Sequence, residues 1–314
     1  MSGLVTLGET MAKLVGAAVG PLRHARSLSV RVAGAESNVA IGVRRLGLPA
    51  TWVGRVGDDE LGRLVASTLR GEGVETVAVV DPGAPTGLML AERRSAELRR
   101  VSYYRAGSAG SRLCADDVPL AAVRAAGVLH VTGITAALSP GAHEAVLAAV
   151  AGAREAGVPV SLDVNYRAAL WSRDDARRAL RPLAEQADVV FAGADEAALL
   201  VDAESPAGAA RCLGSLGART TVVTLGAEGA VACTDGDLLT APGVPVTAID
   251  PIGAGDAFVS GYLAGLLDGL GTEACLDQAL RCGAFAVTVE GDWEGLPSRA
   301  ELALLHAPPG AILR

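Results

Sequence analysis

The sequence predicts an α/β fold built on a central, mostly parallel β-sheet. Apolar runs recur roughly every thirty residues, at 128–132, 158–162, 188–191 and 220–224. Stretches with helical periodicity lie between them, such as 140–156 and 173–185. Strands that are apolar throughout and alternate with helices are typical of a parallel sheet covered on both faces.

Two of the predicted helices carry recognisable starts. Ser139 precedes Pro140, which combines an N-cap hydroxyl with the residue best suited to the first helical position. Ser172 is followed by Asp174 and Asp175, acids that favour the first turn of a helix. We therefore expect helices to begin at both points.

The first 110 residues have a different pattern. After a strand at 4–7 come short segments near 11–16 and 28–32, and then an amphipathic helix near 36–46. The two runs that follow predict a hairpin with a charged tip at Glu92-Arg93-Arg94, with strands at 86–92 and 98–105. Alternating strands inserted in an α/β chain predict a small sheet that lies over the main one as a lid. Because ligands bind beyond the carboxyl ends of parallel strands, such a lid would close on the site.

No proline- or serine-rich linker divides the chain and no tandem repeat is present. We therefore predict a single domain spanning 1–314, with lid strands drawn from about 11–32 and 86–105. At 314 residues the length also allows two domains, although one large α/β domain reaches this size.

The charge and cysteine content exclude several classes of protein. The formal net charge is −8, which argues against a nucleic-acid or anionic-membrane surface. Lys13 is the only lysine, and we expect it to be solvated at the base of the lid. The five cysteines include no C-x-x-C pair and the histidines have no zinc spacing, so free thiols, a reducing cytoplasm and no bound structural metal are expected. The N-terminus has no signal-peptide pattern, and we expect a soluble protein.

The segment 250–258, Asp-Pro-Ile-Gly-Ala-Gly-Asp-Ala-Phe, is the most informative in the chain. A Gly253-Ala254-Gly255 turn that opens an apolar helix would point several backbone N–H groups at an anion. Asp256 in the first turn would lie beside a bound phosphate and take a proton from an attacking hydroxyl. The alternative is a tight turn in which Asp256 only complements the helix dipole, and the residues alone do not separate the two.

Other glycine-rich phosphate sites do not fit. A Walker loop requires a lysine after its last glycine, and Lys13 has no such setting. A dinucleotide fingerprint requires G-x-G-x-x-G, whereas Phe258 stands at the third glycine position, where it would block close helix–strand packing.

Three stretches, in the expected order, resemble the ribokinase-like carbohydrate kinase family. They are the segment 250–258, the segment 34–47 followed by 53–59, and the loop 224–230. The resemblance covers essentially the whole chain. It implies a three-layer α/β sandwich with a central, mostly parallel sheet and a small β-sheet lid, with ATP and Mg²⁺ as cofactors.

The resemblance also implies roles for individual residues. Asp256 would be the catalytic base, and Gly253, Ala254 and Gly255 would form the anion hole. The nucleotide would contact residues in four places, namely Asn165 and Arg167, Glu196, the loop residues Thr224, Gly226, Ala227, Glu228 and Gly229, and Gly253 with Gly255. Family members often have Asn-x-x-Glu where this chain has Gly193-Ala194-Asp195-Glu196. The asparagine is therefore missing, and Glu196 stands either as a metal-organising carboxylate or as an ordinary first-turn acid.

Three further segments resemble 2-keto-3-deoxygluconate kinases within that family, at 101–109, 163–171 and 291–297. The resemblance places the sugar acid against Gly34, Asn38, Tyr103, Arg105, Ile134, Arg167, Asp256 and Asp292. Strand alternation puts Tyr103 and Arg105 on one face and Tyr104 on the other. An arginine fork recognises a carboxylate better than a neutral set of hydroxyls does, which favours a sugar acid.

Several alternatives stay open at this stage. Tyr103 can be lid packing, Asp292 can cap its turn, and Ile134 can belong to the core. A fructokinase or another neutral-sugar or nucleoside kinase would share the same catalytic end. A non-catalytic sensor on the kinase fold and a nicotinamide dehydrogenase are less favoured by the motif. We expect no nucleic-acid or membrane partner, and the exposed edge of the lid sheet is the candidate surface for homo-oligomer formation.

Overall fold

The structure is a computed structural model that describes residues 2–95 and 98–306 of the chain. Thirteen strands in this part of the chain form two sheets. In chain order they are β1 Leu4–Leu7, β2 Met11–Gly16, β3 Leu28–Ala33, β4 Ala50–Gly57, β5 Glu75–Asp81, β6 Leu88–Arg93, β7 Arg99–Tyr104, β8 Val128–Thr132, β9 Val160–Asp163, β10 Val189–Gly193, β11 Thr220–Thr224, β12 Gly229–Thr234 and β13 Asp237–Pro242.

The helices of the described chain mostly follow the strands of the larger sheet. They are α1 Ala35–Arg45, α2 Glu60–Gly71, α3 Leu120–Arg124, α4 Gly133–Leu138, α5 Pro140–Glu155, α6 Arg173–Ala184, α7 Ala194–Leu200, α8 Pro206–Gly214, α9 Ala254–Leu267, α10 Thr272–Ala286 and α11 Arg299–Leu302. Ser139 Oγ accepts from the Ala142 amide at 3.1 Å and Ser172 Oγ from the Asp175 amide at 3.1 Å, so both predicted helix starts are confirmed.

The larger sheet has nine strands in the order β13-β12-β11-β10-β9-β8-β1-β4-β5. The seven strands from β11 to β5 in this order are parallel to one another, and the four apolar runs of the sequence form β8, β9, β10 and β11. The antiparallel hairpin of β12 and β13 was not predicted. Its signal was the Asp235-Gly236 turn, where both residues have positive φ, at 51° and 93°.

The smaller sheet, which we call the lid sheet, has the order β3-β2-β6-β7. The predicted hairpin is the antiparallel pair β6 and β7. Its predicted tip was wrong in part, because Glu92 and Arg93 pair with Arg100 and Arg99 inside the ladder. Residues 96–97, which follow, lie outside the described residues.

Helices cover both faces of the larger sheet, so the architecture is the expected three-layer sandwich. One buried cluster joins the sheet to α5, α6, α7 and α8, and a second joins it to α1, α2, α9 and α10. Phe191 on β10 meets Phe258 and Tyr262 of α9 edge-on, with ring centroids 6.3 and 5.2 Å apart. These contacts fix the start of α9 at the carboxyl end of β10. None of the helices in the described ranges combines the length and the hydropathy of a membrane span.

A buried histidine in the larger sheet makes one destabilising contribution to the fold at acidic pH. His130 on β8 is fully buried, and burial lowers its pKa to about 3. Below about pH 6.5 His130 is therefore protonated in the unfolded chain but stays neutral in the folded one. We expect this residue alone to cost about 2 kcal/mol of unfolding free energy between pH 7 and pH 5. Urea unfolding of the wild type and of His130→Gln at the two pH values measures it. An equal loss in the variant would contradict the assignment.

Candidate active site

A cleft between the two sheets contains two adjoining cavities. The larger has a volume of about 1090 Å³ and the smaller about 690 Å³. Residues of the lid sheet, including Met89 and Tyr103, line both. Arg167, Gly253 and Asp256 also line both, so the cavities meet at the first turn of α9.

The turn before α9 requires glycine at one position. Gly253 has φ +79°, and a Cβ there would lie 1.9 Å from the carbonyl oxygen of Asp292. A Cβ at Gly255, in contrast, would meet no atom within 4 Å. The first amides of a helix lack partners within the helix and lie at the positive end of its dipole. This turn therefore offers donors to an anion on its open side.

Asp256 is held at the junction of the cavities by an amide side chain. Asn38 Nδ2 of α1 donates to Asp256 Oδ2 at 2.7 Å. Burial raises the pKa of Asp256 to about 7; Asn38 and Arg167 lower it, while Glu36 and Asp292 raise it. A carboxylate with a pKa near neutrality suits a general base.

Arg105, just past β7, is bound by a buried carboxylate. Glu9 Oε2 accepts from Arg105 Nε at 2.7 Å and from Nη2 at 2.6 Å, and Glu9 is only 2% exposed. The guanidinium also lies 5.8 Å from the centroid of the Tyr103 ring. Tyr103 lines both cavities, whereas Tyr104 lines neither and is 61% exposed, in agreement with the predicted alternation.

The expectation that Lys13 is solvated is wrong. Lys13 is 4% exposed and pairs with Asp292, which connects the lid sheet to the loop that packs on Gly253. Burial raises the pKa of Asp292, and the neighbouring Lys13 ammonium lowers it. β2 is an inner strand of the lid sheet and is buried along nearly its whole length, which the charge of Lys13 concealed in the sequence.

Two carboxylates line the larger cavity at the carboxyl end of β9 and at the start of α7. Asn165 Nδ2 donates to Asp163 Oδ2 at 3.0 Å from a backbone with φ +37°. Burial, with Glu196 and Asp256 nearby, raises the pKa of Asp163 well above its ordinary value. Glu196 accepts from the Gly193 amide at 2.8 Å and from the Tyr166 amide at 2.9 Å. It therefore caps α7 and fixes the segment after β9 that leads to Arg167.

A family model for pfkB carbohydrate kinases matches residues 1–299. The chain belongs to this family. The kinase is 39% identical over 306 residues to a 2-dehydro-3-deoxygluconokinase of Thermoproteus tenax, covering 96% of this chain and 93% of that one. It is 37% identical to a 2-dehydro-3-deoxygalactonokinase of Haloferax volcanii (92% of each) and 34% identical to Fructokinase-1 of Zea mays (96% and 97%).

Solved structures share the fold of the kinase. A 2-dehydro-3-deoxygluconokinase of Thermotoga maritima superposes with a TM-score of 0.90 at 26% identity, over 97% of this chain and 98% of that one. A putative Ribokinase II of E. coli, solved with ATP and Mg²⁺, superposes with a TM-score of 0.89 at 25% identity, over 97% and 99%. The ribokinase-like α/β fold predicted from the sequence is confirmed.

The structure brings most of the predicted site residues of the kinase together. The predicted sugar-site residues all line the smaller cavity, namely Gly34, Asn38, Tyr103, Arg105, Ile134, Arg167, Asp256 and Asp292. Most of the predicted nucleotide and anion residues line the larger cavity, namely Asn165, Arg167, Glu196, Thr224, Glu228, Gly253 and Gly255. The roles themselves stay predictions.

Four of the predicted residues line neither cavity. The Ala254 amide donates to the Pro251 carbonyl at 3.4 Å, so it is already engaged. Gly229 has φ +113° and packs against β13, where a Cβ would lie 2.1 Å from the Ala241 carbonyl oxygen. Gly226 and Ala227 are exposed on the 3₁₀ turn beside the larger cavity. The structure favours a role for Ala254 in shaping the turn before α9, and for Gly229 in shaping the turn before β12.

Sequence reasoning missed Glu9, Glu36, Lys13 and Asp163. Glu36 is 1% exposed and accepts from the hydroxyls of Thr132 and Thr135, and burial raises its pKa. Asp163 carried a usable signal, because it is the last residue of a core strand at the edge where ligands bind.

Proposed function

We propose that this kinase transfers the γ-phosphoryl group of ATP to the terminal hydroxyl of 2-keto-3-deoxygluconate. One observation carries the proposal: Arg105 and Asp256 line the same smaller cavity, and Asp256 also lines the larger one. A sugar acid in the smaller cavity would thus meet a guanidinium for its carboxylate and a base for its hydroxyl. The relative named 2-dehydro-3-deoxygluconokinase, 39% identical over most of both chains, supports this substrate.

ATP is assigned to the larger cavity and the proton transfer to Asp256. With ATP there, its γ-phosphorus would face the hydroxyl from the side of the α9 turn. Asp256 takes the hydroxyl proton as the oxygen attacks, and the amides of Gly253 and Gly255 stabilise the developing charge. A well-placed donor of this kind is worth about 3–4 kcal/mol. Arg167 lines both cavities and supplies positive charge at their junction.

The donor set of the larger cavity fits Mg²⁺ bound together with nucleotide. Mg²⁺ is usually held by one or two carboxylates, waters and substrate phosphates. Asp163 and Glu196 line this cavity, whereas residues 2–95 and 98–306 contain no group of three or more side chains able to hold a metal alone. These two carboxylates would hold the ion, whose chemistry is to neutralise phosphate charge.

Arg105 is suited to a carboxylate because only one of its edges is used. Glu9 accepts from Nε and Nη2, and within the described residues no hydrogen bond from Nη1 is found. A guanidinium can engage two carboxylates at different edges, which an ammonium does with less defined geometry.

A substrate panel tests the proposal. ADP release with ATP and Mg²⁺ is measured for 2-keto-3-deoxygluconate, 2-keto-3-deoxygalactonate, fructose and ribose. We expect the highest kcat/KM for 2-keto-3-deoxygluconate. The galactonate epimer is the second candidate, since the Haloferax volcanii relative carries that name at 37% identity. Preference for fructose would support the neutral-sugar alternative, and no ADP release with any substrate would overturn the proposal.

Arg105→Ala is expected to raise the KM for the sugar acid about a hundredfold, because a charge-assisted bond of roughly 1.5–3 kcal/mol is lost. The KM for ATP should change little, since Arg105 lines only the smaller cavity. Steady-state kinetics with each substrate varied in turn measures both. An equal rise in KM for fructose, which has no carboxylate, would contradict the role of Arg105.

We further propose that the protein is a single domain, that it lies in the cytoplasm, and that it forms a homo-oligomer through the lid sheet. Leu28 and Val30 on the edge strand β3 are 41% and 54% exposed, which supports pairing at that edge. The five cysteines are all free thiols, as expected in a reducing compartment. Light scattering of the wild type and of Val30→Glu tests the oligomer. A monomeric wild type would contradict the oligomer. A multimeric wild type whose mass is unchanged in Val30→Glu would contradict the role of the β3 edge.

A further inference from the structure

The chain passes four times between the larger sheet and the lid sheet. The first crossing is 8–10, between β1 and β2, and the second is Gly34, between β3 and α1. The third is 82–87, between β5 and β6, and the fourth is 105–109, after β7. Any change in the position of the lid sheet has to be absorbed in these four segments.

Glu9 lies in the first crossing, and its side chain bonds to the fourth. Its carboxylate accepts from Arg105 at 2.7 and 2.6 Å and from the Ser108 hydroxyl. At 2% exposure this carboxylate is removed from water, and Arg105 is the ionic partner found for it among the described residues. Breaking such a buried pair leaves an uncompensated charge, so the two residues hold each other in place.

Glycines let the other crossings close around Glu9. A Cβ at Gly34, in the second crossing, would lie 2.5 Å from the Glu9 carbonyl oxygen. A Cβ at Gly87, in the third, would lie 2.5 Å from Glu9 Oε1. A Cβ at Gly110, directly after the fourth, would lie 2.3 Å from Glu9 Cγ. The first crossing contains Glu9, the third and fourth contact its side chain, and the second contacts its backbone carbonyl, so all four crossings converge on one residue.

The pair also faces the substrate. Glu9 and Arg105 both line the smaller cavity, where Tyr103 stacks near the guanidinium at 5.8 Å. Because Glu9 fixes the Nε–Nη2 edge, the opposite edge of the guanidinium has a defined direction. Arg105 follows directly on β7, so the position of the free edge of its guanidinium depends on the four crossings, which meet at Glu9.

We propose that Glu9 is a positioning residue that ties the four crossings together and aims Arg105 at the carboxylate of the bound sugar acid. The inference rests on the proposed function in one respect, the binding of a carboxylate by Arg105. It makes the affinity for the sugar acid depend on a residue that need not touch it.

A double-mutant cycle tests the proposal with Glu9→Gln, Arg105→Ala and the double variant. Glu9→Gln keeps the size of the side chain and removes its charge. We expect it to raise the KM for 2-keto-3-deoxygluconate about tenfold, which corresponds to about 1.4 kcal/mol. The KM for ATP and for a neutral sugar should stay within about twofold. The double variant should match Arg105→Ala, because Glu9 acts through Arg105. Additive effects, or an equal rise in the KM for ATP, would overturn the inference.

Two further variants separate positioning from stability. Asp117→Asn is the matched control, because Asp117 pairs with Arg55 at 3.0 Å, has a side chain that is only 8% exposed, and lies outside both cavities. It should leave the KM for the sugar acid unchanged. If Glu9→Gln does not fold, Glu9→Asp keeps the charge and shortens its reach. A raised KM for the sugar acid supports positioning, and an unchanged KM overturns it.

Failure of the inference and failure of the proposed function give different results. A wild type that does not phosphorylate the sugar acid overturns the proposed function, and with it the role of Arg105. A wild type that does so, combined with additive effects in the cycle, overturns only the role of Glu9.

Discussion

Asp256→Asn is expected to lower kcat by about 10²–10⁴-fold, the usual contribution of a positioned general base. An amide has nearly the same shape as the carboxylate but accepts no proton from the sugar hydroxyl. The affinity for ATP should survive, because the Gly253 and Gly255 amides do not depend on the side chain of Asp256. An ADP-release assay measures kcat, and calorimetry with ATP and Mg²⁺ measures binding.

The control for this substitution is Asp277→Asn, the same chemical change on the exposed side of α10. It should keep the wild-type kcat. If Asp256→Asn retained near wild-type turnover, Asp256 would be only a partner of the helix dipole, the alternative that the sequence left open.

The pH profile should report the same carboxyl group. Burial raises the pKa of Asp256 to about 7, so below that pH the group is protonated and cannot act as a base. We expect kcat/KM to rise about tenfold per pH unit up to about pH 7 and then to level off. Because the Asn38 hydrogen bond lowers this pKa, Asn38→Leu should move the inflection to higher pH. A flat profile from pH 5 to 8 would contradict the assignment.

The fold was predictable because its signals are local. The runs that form β8 to β11 are apolar along their whole length, and the caps at Ser139 and Ser172 mark their helices within three residues. The glycine turn before α9 was predictable for the same reason, since Gly253 and Gly255 are read directly from the chain, whereas its role in binding an anion stays a prediction. The hairpin of β12 and β13 was missed because it breaks the parallel pattern at the edge of the sheet.

The pairs that complete the site could not be predicted, since they depend on contacts across the fold. Lys13 and Asp292 are 279 positions apart, and Asn38 and Asp256 are 218 apart. A charged residue in a short amphipathic strand is usually solvated, and only the position of the lid sheet shows that Lys13 is buried. Glu9 was hidden in the same way, because it precedes the first strand of the lid sheet, whereas its partners Arg105 and Ser108 follow the last one.

Gly253→Ala is expected to lower both kcat and stability. An alanine at φ +79° costs about 1–2 kcal/mol in backbone strain, and its Cβ would lie 1.9 Å from the Asp292 carbonyl oxygen. The turn has to shift, and moving a donor away from the developing charge costs about 10²–10³ in kcat. Thermal unfolding and steady-state kinetics measure the two effects.

Gly255→Ala separates the two effects, because it adds the same methyl group two residues later at a site without strain. Its Cβ would meet no atom within 4 Å, and alanine favours a helix over glycine by up to about 1 kcal/mol. We therefore expect its unfolding free energy to be unchanged or higher. Gly255 lines the larger cavity, so the methyl group should raise the KM for ATP while kcat falls less than in Gly253→Ala. If Gly253→Ala lost stability but kept the wild-type kcat, the glycine would serve the fold alone, and the donors for the transferred phosphoryl group would have to lie elsewhere in the cleft.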